Sequence, residues 1–95
     1  MTTYECMYIV RPDLDEEKTA EVMEKFQSIV QGNGGTVESS KPWGKRRLAY
    51  EIKGFREGLY VLLRFAGEAA TVRELERLLK ISDEVIRHMV VKEEA

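Results

Sequence analysis

Two hydrophobic periodicities alternate along this chain, and their order limits the folds open to it more than any other feature. Segments with the alternation of a β-strand and segments with the apolar spacing of an amphipathic helix follow one another as βαββαβ within 95 residues. Strands are predicted at residues 4–10, 36–52, 59–65 and 85–91, and helices near 14–31 and 70–80.

This order consists of two successive β-α-β halves. It predicts an α+β, ferredoxin-like βαββαβ fold, in which a four-stranded antiparallel sheet carries both helices on one face. The first and third strands then lie in the middle of the sheet. A chain of 95 residues has room for one domain, which we place at residues 1–95.

Each predicted helix follows a residue suited to capping its N-terminus. Asp13, with Glu16 three residues later, comes close to a capping box. Thr71 and Glu74 repeat that spacing at the start of the second helix. The second strand is interrupted by Pro42 and Gly44, which predicts an edge strand or a β-bulge, because a central strand needs the N–H that proline lacks.

Strand alternation also predicts which side chains the helices leave uncovered. Cys6, Tyr8 and Val10 are expected to share the helix-covered face with residues of the third strand, namely Val61, Leu63 and Phe65. If Ile86 and Val90 also point at the helices, the opposite face carries an apolar strip with charged neighbours: Met7, Ile9, Tyr60, Leu62, Arg64, Arg87, Met89 and Val91. Such a strip is typical of a partner site. The alternative is that the chain's own tail or a second copy of the chain covers part of this strip.

The charge is low in total but unevenly distributed. Fifteen basic and seventeen acidic side chains give a formal net charge of −2, which argues against a protein that coats nucleic acid through bulk positive charge. Residues 41–65, however, hold seven basic and two acidic side chains, a local net of +5. This block either binds phosphate locally or decorates exposed strands and a turn.

The residues offer little for catalysis or metal binding. Cys6 is predicted to be a buried thiol, and His88 is a lone histidine, so neither a nucleophile nor a protein-ligated zinc ion is expected. Base stacking on the central strands is disfavoured, since only Tyr60 is an aromatic on the open side. Trp43 is either a packed anchor or a contact residue. The N-terminus has no secretory signal pattern, so a cytoplasmic protein is expected.

A ten-residue run carries the most specific motif of the chain. Gly44-Lys45-Arg46-Arg47-Leu48-Ala49-Tyr50-Glu51-Ile52-Lys53 resembles the signature segment of bacterial small-subunit ribosomal protein six. The opening and closing segments resemble that family as well, in the same order and at matching spacing: Tyr4-Glu5, Arg11-Pro12-Asp13-Leu14, Ile81-Ser82-Asp83 and Arg87-His88-Met89-Val90-Val91-Lys92.

The resemblance implies a structural protein of the ribosome with no enzyme activity and no cofactor. It implies binding to the central domain of 16S ribosomal RNA, together with ribosomal protein eighteen as a heterodimer, and no membrane or small-molecule substrate. On this basis Lys45, Arg46, Arg47 and Arg87 are expected to contact RNA or the protein partner, and the RNA-contacting set is taken as these four with His88 and Lys92. Those expected to contact the protein partner are Met7, Ile9, Tyr50, Tyr60, Leu62, Arg64 and Met89.

The uneven charge is compatible with this expectation. A near-neutral protein with few phosphate contacts would bind RNA weakly alone, and a basic partner on its apolar strip would supply the missing charge. An edge strand formed around Pro42 is a rival place for the partner. A regulatory module of the same fold, which dimerises through its sheet and binds a small ligand, is the alternative from another functional class.

Overall fold

The computed structural model describes residues 1–93, and the predicted order of elements is confirmed. The sheet is antiparallel with the strand order β2-β3-β1-β4, so the first and third strands are central, as expected. The elements are β1 (Thr2–Val10), α1 (Glu16–Gly32), β2 (Thr36–Ile52), β3 (Phe55–Gly67), α2 (Ala69–Ile81) and β4 (Val85–Lys92).

Both helices pack against one face of the sheet and form the main core with it. Tyr8 and Phe65 of the central strands are fully buried together with Phe26 of α1 and Leu75 of α2. The Tyr8 and Phe26 rings meet edge to face, with their centroids 5.2 Å apart. The six residues predicted for the helix-covered face all belong to this core, which confirms that alternation: Cys6, Tyr8, Val10, Val61, Leu63 and Phe65.

The first helix starts two residues later than the capping pattern predicts. Asp15, not Asp13, is the N-cap, and its carboxylate accepts a hydrogen bond of 2.7 Å from the Lys18 backbone N–H. Asp13 is instead held by Arg11, whose guanidinium donates two hydrogen bonds of 2.8 and 2.9 Å to its carboxylate. The hydrogen bond from Arg11 lowers the pKa of Asp13. The Asp13 carboxylate, which the pattern assigns to the helix cap, is therefore bound by the Arg11 guanidinium instead.

The predicted capping box of the second helix is also wrong. Glu68 is the N-cap of α2 and makes no side-chain capping bond. Thr71 lies inside the first turn, is buried, and donates its hydroxyl hydrogen bond to the Asn33 carbonyl at 2.8 Å. Thr71 therefore joins the start of α2 to the end of α1, rather than capping its own helix.

The β2–β3 hairpin is longer than predicted, and its far end bends over the sheet. Lys53 and Gly54 form a tight turn with positive φ values of 50° and 86°, so β3 begins at Phe55 rather than at the predicted residue 59. The pairing of β2 with β3 shifts register between Arg47 and Ile52, which leaves the residues between them free to curl toward the sheet.

This hairpin creates a second, smaller core on the face away from the helices. Ile9, Leu48 and Ile86 are 5%, 7% and 4% exposed and pack together. The expectation that Ile9 is exposed is therefore wrong, as is the expectation that Ile86 points at the helices; Val90 does pack against the main core. A register shift between Ile9 and Val10 places Ile86 beside Ile9.

Pro42 lies in an edge strand that also contains a β-bulge, so both of the features that its position predicts are present. Within residues 1–93 β2 pairs only with β3, and its register shifts between Pro42 and Gly44, so that Trp43 is the extra residue of a β-bulge. Gly44 has a φ of 90°, which a residue with a side chain adopts at a cost.

Neither helix within residues 1–93 combines the length and apolar character that a membrane crossing requires.

Candidate functional site

The face of the sheet opposite the helices, called here the open face, has an apolar strip at its centre. Met7 of β1 pairs with Leu62 of β3 on one side and with Met89 of β4 on the other, so the three side chains lie in one row. Met89 is 53% exposed, and Tyr60 is half-buried beside Ile9. The strip thus remains accessible between the hairpin at one end and a group of charged residues at the other.

Those charged residues, called here the acidic end, surround Arg64 with three carboxylates. Its guanidinium lies 2.8 Å from Glu93, 3.0 Å from Glu38 and 3.4 Å from Glu5. The hydrogen bond to Glu38 is the main reason why the pKa of Arg64 is raised. Three negative groups around one positive group leave this end of the open face with a net negative charge.

The other end of the open face, called here the basic end, holds Arg46, Lys53 and Arg87, whereas Arg47 pairs with Glu57 and faces the other way. β2 and β4 are opposite edges of the sheet, yet the curled hairpin brings them into contact, because Arg87 donates a hydrogen bond of 3.2 Å to the Tyr50 hydroxyl. Among residues 1–93, none of these three open-face cations has a carboxylate within 4.0 Å. Their charges therefore remain available to an anion.

A shallow cleft at this end gathers basic side chains from three elements. Lys53 of the hairpin turn and Lys80 of the last turn of α2 line it with Arg87 and His88 of β4. Lys53 and Lys80 are additions to the predicted site. No local sequence signal marks them, since the cleft exists only once the hairpin turn and the end of α2 lie beside β4.

The structure brings together only some of the predicted RNA-contacting residues. In β2, Arg46 pairs with Gly58 and shares the open face, whereas Lys45 pairs with Leu59 and lines a groove beside α1. Lys92 pairs with Tyr4, at the far end of β4, roughly 17 Å along the strand from Arg87. The +5 block of the sequence is thus divided between two faces of the hairpin.

The predicted partner-contacting residues lie along the open face, with one exception. Ile9 is covered by Leu48 and Ile86. Tyr50 is 62% exposed on the hairpin, close to Arg87 of the basic end. The remaining five belong to the apolar strip or to the acidic end: Met7, Tyr60, Leu62, Arg64 and Met89.

Cys6 lies in the main core and has the character of a packing residue. It is fully buried, and desolvation raises the pKa of its thiol to about 12. A thiol that stays protonated is a poor nucleophile. Within residues 1–93, no group of three His, Cys, Asp or Glu side chains is arranged to hold a metal ion.

Comparison with known proteins assigns the chain to a family. The family model described as ribosomal protein S6 matches residues 3–92. The small ribosomal subunit protein bS6 of Desulforamulus reducens is 50% identical over 93 residues, which cover 98% of each chain. The protein of the same name from Carboxydothermus hydrogenoformans is 52% identical over 91 residues, covering 96% of this chain and 95% of that one. The chain belongs to the ribosomal protein S6 family.

The fold comparison agrees with this assignment. The crystal structure of 30S ribosomal protein S6 from Thermotoga maritima superposes with a TM-score of 0.91 at 30% identity, covering 97% of this chain and 87% of that one. The C-terminal domain of the MgtC protein from Mycobacterium tuberculosis, at 13% identity and a TM-score of 0.65, covers 99% of this chain and 89% of that one, and shares the fold alone.

As a member of the S6 family, the chain is a structural constituent of the small ribosomal subunit, and it is not an enzyme. Its place is the ribosome, which in bacteria is cytoplasmic, and association with ribosomal RNA follows from that place. The alternative of a ligand-binding regulatory module is set aside by family membership.

Proposed function

We propose that this S6 chain binds the central domain of 16S ribosomal RNA together with the small basic ribosomal protein eighteen, as a heterodimer. The observation that carries the proposal is the separation of charge along the open face. The acidic end around Arg64 suits a basic protein, and the basic end around Arg87 suits RNA phosphate. The apolar strip between them supplies the area that a protein interface needs.

The partner is proposed to cover the strip and the acidic end. Met89 and its neighbours would be desolvated at the centre, and Glu5 and Glu38 at the rim would steer the basic partner into place. The proposed contact residues are Met7, Tyr50, Tyr60, Leu62, Arg64 and Met89. Ile9 supports this surface from below without reaching it.

RNA is proposed to meet the basic end. The cleft lined by Lys53, Lys80, Arg87 and His88 offers a place where cations from three elements converge on one phosphate group. Arg46 and Arg47 extend the positive surface along the hairpin, and both are exposed. Lys45 and Lys92 point elsewhere, so they would contact RNA only where it passes around the edges of the sheet.

Cooperative binding follows from the same charges. The chain carries a formal net charge of −2, so its few phosphate contacts act against an overall repulsion of RNA. A basic partner seated on the acidic end would cancel that repulsion and add contacts of its own. The two proteins together are therefore expected to bind RNA more tightly than either does alone.

The proposal is tested by titrating a central-domain fragment of 16S ribosomal RNA with this chain, with and without purified ribosomal protein eighteen. We expect weak binding with a shallow salt dependence for the chain alone, and a steep gain in affinity when the partner is present. Equal affinity in both titrations would refute cooperative binding. The heterodimer itself is measured separately, by size-exclusion chromatography without RNA.

The outer edge of β2 is a rival place for the partner. β2 is 17 residues long and, in the part of the chain that the structure describes, pairs only with β3, so its outer edge could accept a strand from another protein. Variants on the apolar strip separate the two arrangements, because strand addition at β2 would leave Met89, in the opposite edge strand, uncovered.

A further inference from the structure

Trp43 is the single tryptophan of the chain, and the structure leaves it largely outside both cores. Its side chain is 46% exposed, although tryptophan is among the side chains that gain most from burial. It is the extra residue of the bulge between Pro42 and Gly44, where the edge strand bends. The fold thus holds this ring at the surface by a specific backbone feature.

The Trp43 ring is paired with a guanidinium group. The Arg46 guanidinium carbon lies 5.5 Å from the ring centroid, within the range of a cation–π contact. Arg11, Arg56, Arg64 and Arg77 each have a carboxylate partner, whereas within residues 1–93 Arg46 has none within 4.0 Å. Its charge is therefore not neutralised by a carboxylate of residues 1–93, and its guanidinium lies over the indole ring.

The stretch of β2 around this pair is rich in positively charged residues, although Asp15 and Glu16 of α1 line the groove beside Lys45. Lys41, Lys45 and Arg47 are neighbours of Trp43 and Arg46 in β2, and no acidic residue occurs between positions 39 and 50. A basic protein would be repelled here, whereas a nucleic acid would be attracted. The acidic end of the open face, which we assign to the protein partner, belongs to a different part of β2, near Glu38.

We propose that Trp43 and Arg46 form a stacking platform for an unpaired base of ribosomal RNA. An aromatic ring beside a guanidinium plane is how proteins commonly hold a splayed-out base, while adjacent cations hold the backbone. The platform differs from the central-strand arrangement disfavoured on sequence grounds, because the aromatic side chain projects from a bulge in an edge strand. This inference rests on the proposed RNA binding and names one contact within it.

Because Trp43 is the sole tryptophan, its fluorescence reports on the platform without interference from a second indole. The 16S central-domain fragment is added to the complex of this chain with ribosomal protein eighteen, and tryptophan emission is followed alongside a gel-shift measurement. We expect RNA to quench the emission and to protect Trp43 from acrylamide, since a stacked base both quenches indole and shields it. Any tryptophan in the partner is replaced by phenylalanine beforehand.

Substitutions then test the chemistry of the contact. Trp43→Leu should weaken RNA binding by about tenfold, whereas Trp43→Phe, which keeps an aromatic face, should retain most of the affinity. Arg46→Lys keeps the charge but loses the planar surface, and should cost less than Arg46→Ala. The matched control is Ile81→Ala, which shortens a side chain that is 63% exposed at the end of α2. Urea unfolding verifies that every variant folds.

The outcomes separate this inference from the proposed function. RNA binding by gel shift with unchanged Trp43 emission would overturn the platform and leave RNA binding intact. A change of emission on addition of the partner protein alone, with no further change on addition of RNA, would make Trp43 a protein contact and also overturn it. Absence of RNA binding in every arm would overturn both proposals.

Discussion

The two ends of the open face belong to the same sheet but differ in charge and in the origin of that charge. At the acidic end, Glu5, Glu38 and Glu93 share one arginine within 3.4 Å. At the basic end, Arg46, Lys53 and Arg87 have no carboxylate partner within residues 1–93. A net charge of −2 thus averages over two surfaces that attract opposite partners.

The ends also differ in how they are assembled. The acidic end gathers side chains from neighbouring strands, as the pairing of Glu5 with Arg64 illustrates, with Glu38 at a register shift of β2 and Glu93 just after β4. The basic end requires a hairpin to bend over the sheet until Tyr50 meets Arg87. One end is therefore a product of strand register, and the other is a product of tertiary folding.

The largest effect is expected from a charge placed on the strip between the two ends. Met89→Asp should raise the dissociation constant for ribosomal protein eighteen by about a hundredfold, because a buried interface penalises an unpaired carboxylate. Folding should be retained, since Met89 is 53% exposed. Isothermal titration calorimetry measures the change, and Ile81→Asp on α2 is the control. An unchanged heterodimer would move the interface to the edge of β2.

A smaller effect is expected at the basic end. Replacing Arg46 and Arg47 together by alanine should weaken RNA binding by about tenfold or more and reduce the salt slope by about 1.5–2. Stability should hardly change, because exposed charges contribute little to it. Filter binding over a salt series measures both quantities. As a control, replacing Lys18 and Arg73 by alanine removes the same charge from the helices and should leave the salt slope intact. Loss of folding in the Arg46 and Arg47 variant would contradict the placement of these two side chains at the surface.

A still smaller effect is expected at the acidic end. Glu38→Lys should weaken the heterodimer by about threefold to tenfold, mainly through slower association, because it removes a rim charge that attracts the basic partner and contacts Arg64. Stopped-flow association rates at two salt concentrations test this. Glu24→Lys makes the same charge change on the exposed surface of α1. If both variants slow association equally, total charge rather than this end steers the partner.

The smallest effect is expected from the contact that joins the hairpin to β4. Tyr50→Phe removes the acceptor of the Arg87 hydrogen bond and should lower the free energy of unfolding by less than about 1 kcal/mol, because the contact is exposed to water. Leu48→Ala, beneath the same hairpin, should cost about 2 kcal/mol or more. Urea denaturation compares them. The reverse order would mean that the hydrogen bond, rather than the apolar cluster, holds the hairpin down.

The local sequence pattern predicts most of the fold correctly. It is least successful for the parts of the site that depend on contacts between residues far apart in the chain. Cys6 and Tyr8 were placed on the helix-covered face correctly because strand alternation is a property of neighbouring residues. The prediction of Asp13 as the N-cap of α1 is wrong because its carboxylate is hydrogen-bonded by Arg11. The prediction that Ile9 is exposed is wrong because Leu48, which covers it, lies 39 positions away in the chain and reaches it through a bent hairpin.

The amino-acid sequence by itself determined the order of elements, the edge position and bulge of β2, and the S6 signature from residue 44 to residue 53. These depend on periodicity, on the missing N–H of proline and on identity at successive positions. Only the tertiary structure decided that Lys53 and Lys80 share a cleft with Arg87, and that Leu48 covers Ile9. Charge acts through space, so its meaning depends on which distant residues the folded chain makes neighbours.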